Sequence, residues 1–541
     1  MLALSLPFVA IIPVLIAVFL YVFAGLKHAR IIAVIAQTAF VALAFSLLLA
    51  AREEEVITRV GGYAGYLGII LRADTLAAVF VLLTVVIFLA VVIYNLRSQY
   101  DHTGRLYWFL IFILEGVLLG LFLTRDFFNV FVLVEVSTVV VVILLMYERK
   151  RRNLFAGMTF IMVNIVVMQF FLFGVGYLYM ITGVMDMKAA AGVIANMEST
   201  SDLVLPYALI MTSVAAKCSL LPLLTWLPKV NSLTGSRYTI AAIMSGLHVK
   251  SGIYLFIRVQ YVFGGMATEL FLAVGLLTAV AGVALALAQK DIRLMLAYST
   301  VAQAGLIIAG LSAGGAYSSM GAQLHIVNHA LIKVALFLGA GMISYIFKTT
   351  DIRKIRGMYR ISPAIAAANT LAILGIVGAP FFNGFVSKYF IAYGASGFLE
   401  WAFIAVNLGT VLVFVRYSAT FFGRPVAPIR EVKTDWCRLS VVIGLGASCV
   451  ILGVFGPAVA RFIFAAPVVV DAPYFGIGVW GYLEKSLIFA LSLGAGVLAY
   501  RYVPVSRKVI VPLRGMQLNF KIMCISIGVF FALMLVVVGV L

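Results

Sequence analysis

Apolar runs long enough to cross a bilayer recur from one end of this 541-residue chain to the other. About 18 or more apolar residues in an α-helix match the hydrocarbon thickness of a membrane, and a chain built of such runs has few folds open to it. About sixteen runs are read, at residues 2–24, 30–50, 73–95, 107–123, 126–147, 154–182, 204–225, 237–258, 269–288, 293–311, 316–347, 362–393, 399–422, 438–466, 484–503 and 519–541. No gap between them is long enough for a soluble domain. Composition agrees: 64% of the residues are hydrophobic and 11% charged, against roughly 25% charged in a soluble domain. The expected fold class is an all-α polytopic membrane protein. The first run lacks a basic segment before it, so it is read as a retained helix rather than a cleaved signal.

The net charge of +19 follows the topology. Alternate loops hold most of the basic residues, including Lys27, Arg30, Arg97, Arg149, Lys150, Arg151, Arg237, Lys348, Arg353, Arg430, Lys433, Arg507 and Lys508. The other set of loops holds few. The positive-inside rule places the basic set in the cytoplasm and both termini outside, in a multi-pass protein of the cell membrane. Charge sorted in this way contacts lipid headgroups and gives no reason to expect nucleic acid. The four cysteines, Cys218, Cys437, Cys449 and Cys524, form no C-x-x-C pair. No Gly-rich phosphate loop follows a strand. No cofactor or metal is therefore expected on this chain, and any redox chemistry coupled to it belongs to a partner.

Ionisable residues inside the apolar runs are the informative ones. Translocon scales put an Arg, Lys or Asp at a helix centre at about 2.5–3.5 kcal/mol, so such groups pair, meet water or perform a function. Lys217, Glu135 and Lys388 lie deep in their runs. Lys250 lies within reach of an end, and Glu115 and Arg416 are placed where snorkelling or a local pair would account for them. His325, His329 and Lys333 follow an i, i+4, i+8 spacing and share one helix face. Three titratable groups stacked over two turns suit a proton wire, because imidazole exchanges protons near neutrality. Two runs carry breakers beside a lysine: Pro222 and Pro228 follow Lys217, and Pro380, Asn383 and Gly384 precede Lys388. Broken helices in membranes survive where protein or water satisfies the freed backbone, and they mark ion sites in transporters.

Six stretches carry a family resemblance: 124–137 (TRDFFNVFVLVEVS), 216–228 (AKCSLLPLLTWLP), 245–258 (SGLHVKSGIYLFIR), 291–305 (DIRLMLAYSTVAQAG), 325–341 (HIVNHALIKVALFLGAG) and 375–388 (GIVGAPFFNGFVSK). In this order they resemble the antiporter-like subunits shared by complex I, Mrp-type sodium/proton antiporters and membrane-bound hydrogenase-type complexes. The chain looks like the MrpD-like members, including those of archaeal hydrogenase and sulfane sulfur reductase complexes. The resemblance implies about fourteen helices with two inverted five-helix repeats, each with a broken helix; about two further helices would follow. The implied blocks are 1–106, a first repeat 107–258, a second repeat 269–424, and C-terminal helices 425–541.

The resemblance also implies roles. Glu135 pairs with Lys217, Lys250 bridges, His325, His329 and Lys333 form the central segment, and Lys388 is the terminal lysine. His248 and Asp291 are auxiliary. Where the family commonly continues W-L-P with D-A-H, this chain has Lys229, Val230 and Asn231, and Leu294 replaces a common basic residue. The implied activity is translocation of protons, or sodium against protons, within a multi-subunit complex that has a cytoplasmic redox arm. A self-contained solute carrier and a structural scaffold descended from the family are the alternatives.

Overall fold

The structure, a computed structural model, describes residues 6–23, 28–62, 68–96, 104–233, 238–395, 397–425, 434–464, 478–502, 513–514 and 520–540. Of the loop cations named above, Lys27, Arg97, Arg237, Arg430, Lys433, Arg507 and Lys508 lie outside the described residues. In chain order the elements are α1 (Leu6–Val22), α2 (Ala29–Glu53), β1 (Val56–Arg59), β2 (Ile70–Ala73), α3 (Thr75–Asn95), α4 (Arg105–Leu123), α5 (Phe127–Met146) and α6 (Arg151–Thr182). They continue with α7 (Met187–Ala195), α8 (Val204–Lys217), α9 (Trp226–Leu233), α10 (Tyr238–Ile243), a π turn (Met244–His248), α11 (Val249–Val262), α12 (Thr268–Ala288), α13 (Ile292–Leu311) and α14 (Ala316–Phe347). The remainder are α15 (Met358–Ile361), α16 (Pro363–Val377), α17 (Asn383–Tyr393), α18 (Phe398–Ser418), α19 (Trp436–Val454), α20 (Gly456–Phe464), α21 (Gly478–Tyr502) and α22 (Phe520–Val540).

Among the described residues, 12 helical spans are long and apolar enough to cross a bilayer, and shorter apolar helices occur at Leu6–Val22, Pro363–Val377 and Ser486–Tyr502. The chain is an all-α polytopic membrane protein. Every apolar run read from the sequence contains helix. The run 204–225 breaks after Lys217, 362–393 breaks after Val377, and 438–466 divides into α19 and α20. The hairpin β1–β2, with Val56 opposite Ala73 and Arg59 opposite Ile70, is a departure. Strands of four residues are too short to show a period in the sequence.

The chain forms two compact units: Met1–Cys218 with Ser251–Ala267 and Asn519–Leu541, and Ser219–Lys250 with Thr268–Leu518.

In the first unit α1 packs on α4, α2 on α3, α6 on α8, and the last helix, α22, on both α8 and α6. A polar clasp ties the unit together. Asp74 caps the N-terminus of α3 by accepting from Ala77 N. It also accepts two hydrogen bonds from Arg258 on α11, at 2.7 and 2.6 Å, and lies 2.9 Å from Arg125 NH2. Arg125 donates to Tyr254 Oη at 2.5 Å, and that hydroxyl donates to Phe122 O. Burial pushes the Asp74 carboxyl up, but the Arg258 and Arg125 guanidinium groups outweigh it and hold the group well below the usual carboxylate range.

In the second unit α12 packs along α13, α14 on α17 and α19, α10 on α14, and α18 against both α12 and α21.

One helical run occurs in both units. The pairs α4 and α12, α5 and α13, and α6 and α14 end at Leu123 and Ala288, Met146 and Leu311, and Thr182 and Phe347. Each pair is separated by the same number of residues. The pattern extends to the caps: Asp126 opens α5 and bridges to Asp186, and Asp291 opens α13 and bridges to Asp351, at that same separation.

Candidate functional site

The first unit holds Lys217 at the last residue of α8, followed by Ser219 with φ of 57° and then Pro222. A helix C-terminus leaves unpaired carbonyls and a partial negative charge, which suits an ammonium. Lys217 is 5% exposed. Its Nζ donates to Asn164 Oδ1 on α6 at 2.7 Å and to Thr138 Oγ1 on α5 at 3.2 Å. Glu135 is half-buried on α5, close enough to act on the ammonium electrostatically. No ion pair within 4.0 Å joins them among the described residues, and Glu135 Oε1 is buried without a hydrogen-bond partner. The expected Glu135–Lys217 pair is thus a separated pair, with two neutral oxygens solvating the ammonium instead.

The second unit holds the other break. α16 ends at Val377, and Gly378, with φ of 76°, supplies the left-handed cap that a side chain would strain. Pro380 follows, and α17 begins at Asn383. Gly384, expected as a breaker, instead lies in the first turn of α17, where a Cβ would strike Gly375 O. Its role is close approach of the two half-helices, and the breaking glycine is Gly378. Lys388 therefore follows its break. Its Nζ donates to Ile376 O in the last turn of α16, at 2.5 Å, and to Asn407 Oδ1 on α18, at 2.8 Å.

The row on α14 lies in this unit too. His325, His329 and Lys333 are buried to 1% exposure or less. The two imidazoles stack with centroids 5.8 Å apart. His325 bonds Gln303 Oε1 through Nε2 at 2.9 Å and Ser387 Oγ through Nδ1 at 2.8 Å, and Ser387 adjoins Lys388 in sequence. Both His329 ring nitrogens are buried without a hydrogen-bond partner. Lys333 donates to Leu296 O at 3.0 Å and to Ser299 Oγ, with its ammonium 5.6 Å from the Phe414 ring centre. Lys250 is fully buried, donates to Ser245 O, and lies close enough for its charge to act on His325, His329 and Lys333. Asn231, which stands where the family commonly has histidine, donates to Ser245 Oγ at 3.0 Å. His248 packs its ring edge-on against Trp226, beside the same segment.

Three further charged residues take local partners. Asp291 is a helix cap, bonded to Arg293 and accepting from Thr350 Oγ1 at 2.6 Å, so it holds α13. Arg416 donates to Leu287 O and Gln289 O, closing the C-terminus of α12. Glu115 is fully buried at mid-helix and accepts from Gln37 Nε2 at 2.5 Å. It does not snorkel. The residues the sequence reading passed over are Asn164, Thr138, Gln303, Ser387, Asn407 and Gln37. Their signal was present: single amides and hydroxyls inside apolar runs, where an unsatisfied polar group is costly.

These spans, the two broken helices and the buried ammonium and imidazole groups define a polytopic membrane protein of the antiporter-like class. The family described as "NADH:quinone oxidoreductase/Mrp antiporter, TM" matches residues 124–413. The chain belongs to that family. It is similar to an NADH-quinone oxidoreductase membrane component, the N subunit, of Desulforudis audaxviator, with 30% identity over 80% of this chain and 90% of the relative. It is also similar to a Na(+)/H(+) antiporter component, the D subunit, of Alkalihalophilus pseudofirmus, with 31% identity over 71% of this chain and 79% of the relative. Its fold resembles a chain of the membrane-bound sulfane sulfur reductase, an archaeal respiratory membrane complex, with a TM-score of 0.78, 24% identity, and coverage of 90% of this chain and 99% of that one. A chain of the Mrp complex from a Dietzia species gives a TM-score of 0.76 with 21% identity, covering 95% of this chain and 100% of that one.

Proposed function

We propose that this chain is the ion-translocating membrane subunit of a larger energy-converting complex, and that the ion is a proton. The observation that carries the reading is the fully buried row of the second unit. Lys250 acts electrostatically on His325, His329 and Lys333, the two imidazoles stack, and His325 bonds Ser387, the residue before Lys388 in sequence. Ammonium and imidazole groups exchange protons, whereas sodium is held by oxygen ligands and repelled by such groups.

In this mechanism Lys217 holds a proton beside Glu135. Moving Glu135 closer or further away changes the affinity of Lys217 for it, because the ammonium otherwise has only neutral oxygens. The row from Lys250 to Lys388 takes up and releases the proton in turn. The two matching helix runs support two half-channels on repeats 107–258 and 269–424. Each elementary charge moved against the membrane potential requires about 2.3 kcal/mol per 100 mV. The chain therefore works with partner membrane subunits and a driving arm, which in a respiratory complex is a cytoplasmic redox module. In this reading the basic loops are cytoplasmic and both termini external. A scaffold role has less support, since Lys217, Lys250, His325 and Lys388 all keep polar partners in the hydrocarbon zone.

The test is ion movement in vesicles carrying the assembled complex with Lys217→Ala or Glu135→Ala. Both are expected to stop coupled translocation while the complex still inserts and assembles. Normal translocation by either variant overturns the assigned roles.

A further inference from the structure

A cavity of about 180 Å³ lies over Lys388 in the second unit. That is far more than the roughly 10–15 Å³ one water requires. Most of its wall is aliphatic or aromatic, Phe489 of α21 among it. The polar groups within are few: the Lys388 side chain, Asn407, Ser492 of α21, Glu400, and the hydroxyls of Tyr389 and Tyr393. Glu400 and Asn407 lie two turns apart on α18 and so share a face. Asn407 already accepts from the Lys388 ammonium, and Glu400 is exposed in the first turn of the helix. A buried ammonium, an amide bonded to it and an exposed carboxylate thus line one volume.

We propose that Glu400 is the exit carboxylate for the proton leaving Lys388, and that α21 is the outer wall of the water-filled exit. The proton leaves the Lys388 ammonium, which becomes a neutral amine, crosses cavity water, and is taken by the Glu400 carboxylate. That carboxylic acid then returns it to bulk water, so charge and protons balance. Direction follows from α18 itself. Its far end carries Arg416, bonded to the α12 terminus beside the capping pair Asp291–Arg293 and the loop residue Lys290. The mouth at Glu400 is about 24 Å away along the helix, on the side opposite these basic loops. α21 lies outside the residues the family match covers, so the exit wall is supplied by a part of this chain that the match leaves unassigned.

The inference rests on the role proposed for Lys388, and the experiment separates the two. Translocation by the assembled complex is measured in everted membrane vesicles with a pH-sensitive dye. Glu400→Gln is expected to lower the rate about ten-fold or more, and Glu400→Asp to keep most of it. Lys388→Ala is measured alongside. If Lys388→Ala stops translocation and Glu400→Gln does not slow it, the exit assignment fails while the lysine reading stands. If Lys388→Ala translocates normally, the underlying reading fails. Ser492→Cys, with Cys437 and Cys524 replaced by serine, decides the matter should Glu400→Gln not assemble. A small charged thiosulfonate reagent is expected to modify it and slow translocation. Lack of modification in the assembled complex would mean that hydrocarbon fills the cavity, and would overturn the proposal.

Discussion

In the first unit the lysine precedes its break, and in the second it follows. Lys217 ends α8 and is solvated by Asn164 and Thr138, with a carboxylate held off to one side. Lys388 sits in the second turn of α17 and turns its ammonium back to Ile376 O, in the last turn of the preceding half-helix. The Lys388 ammonium thus meets the negative end of a helix, whereas the Lys217 ammonium bonds side chains on two neighbouring helices. The helices behind them differ as well. Asn164 on α6 and His329 on α14 stand at matching places in the two helical runs. An amide there can only hold the lysine, whereas an imidazole can pass a proton on. Under the proposed function the comparison suggests a division of labour between the half-channels: Asn164 holds the charge of one lysine, and His329 relays protons.

The sharpest way to break this comparison is to remove the two matching side chains. His329→Leu is expected to cut translocation about 100-fold or more, because no other group at that place exchanges protons. Asn164→Leu leaves the Lys217 ammonium one acceptor short and is expected to cost on the order of 1–3 kcal/mol at that site, read as a fall of about ten-fold in rate. Equal losses in vesicle assays would abolish the distinction between holding and conducting.

A second test uses the clasp of the first unit. Asp74→Asn is expected to cost on the order of 2 kcal/mol, read as a lower unfolding midpoint of the purified complex at neutral pH. The Asp74 carboxyl is held below its unfolded range, so its contribution is present above about pH 3.9 and lost as pH falls through the folded value. The gap between wild type and variant should therefore narrow in acid; a gap independent of pH would show that the carboxylate charge is not what the clasp uses.

Packing beside the first lysine gives the next contrast. A Cβ on Gly252 would strike the Lys217 and Cys218 backbone, whereas one on Gly176 meets nothing within 4 Å. Gly252→Ala should cost about 1–3 kcal/mol, and Gly176→Ala should be neutral or stabilise by up to about 1 kcal/mol. Thermal midpoints of the two variants check this. The smallest effect is expected from Ser299→Ala in the second unit, since Lys333 keeps Leu296 O. A change of about three-fold or less in translocation is expected there, and a larger one would make Lys333 an obligatory carrier.

Sequence alone settles the class and the inventory. A run of apolar residues is a local signal, and a charge within it is visible without knowing any neighbour. The sixteen runs and the ionisable set from Glu135 to Lys388 were therefore legible. Pro222 and Pro380 likewise lie in the two breaks, since proline lacks an N–H, whereas Pro13 and Pro228 sit inside helices. Tertiary packing decided the pairings. That Lys217 bonds Asn164 rather than Glu135, that Glu115 meets Gln37, and that Ser387 links His325 to the turn bearing Lys388 all depend on helices distant in sequence coming within 3 Å. So does the cavity over Lys388, whose outer wall comes from α21. Membrane insertion selects on the hydropathy of each segment, so its imprint is written in the segments themselves. A hydrogen bond between two helices depends on their rotation and depth, and no single segment encodes these.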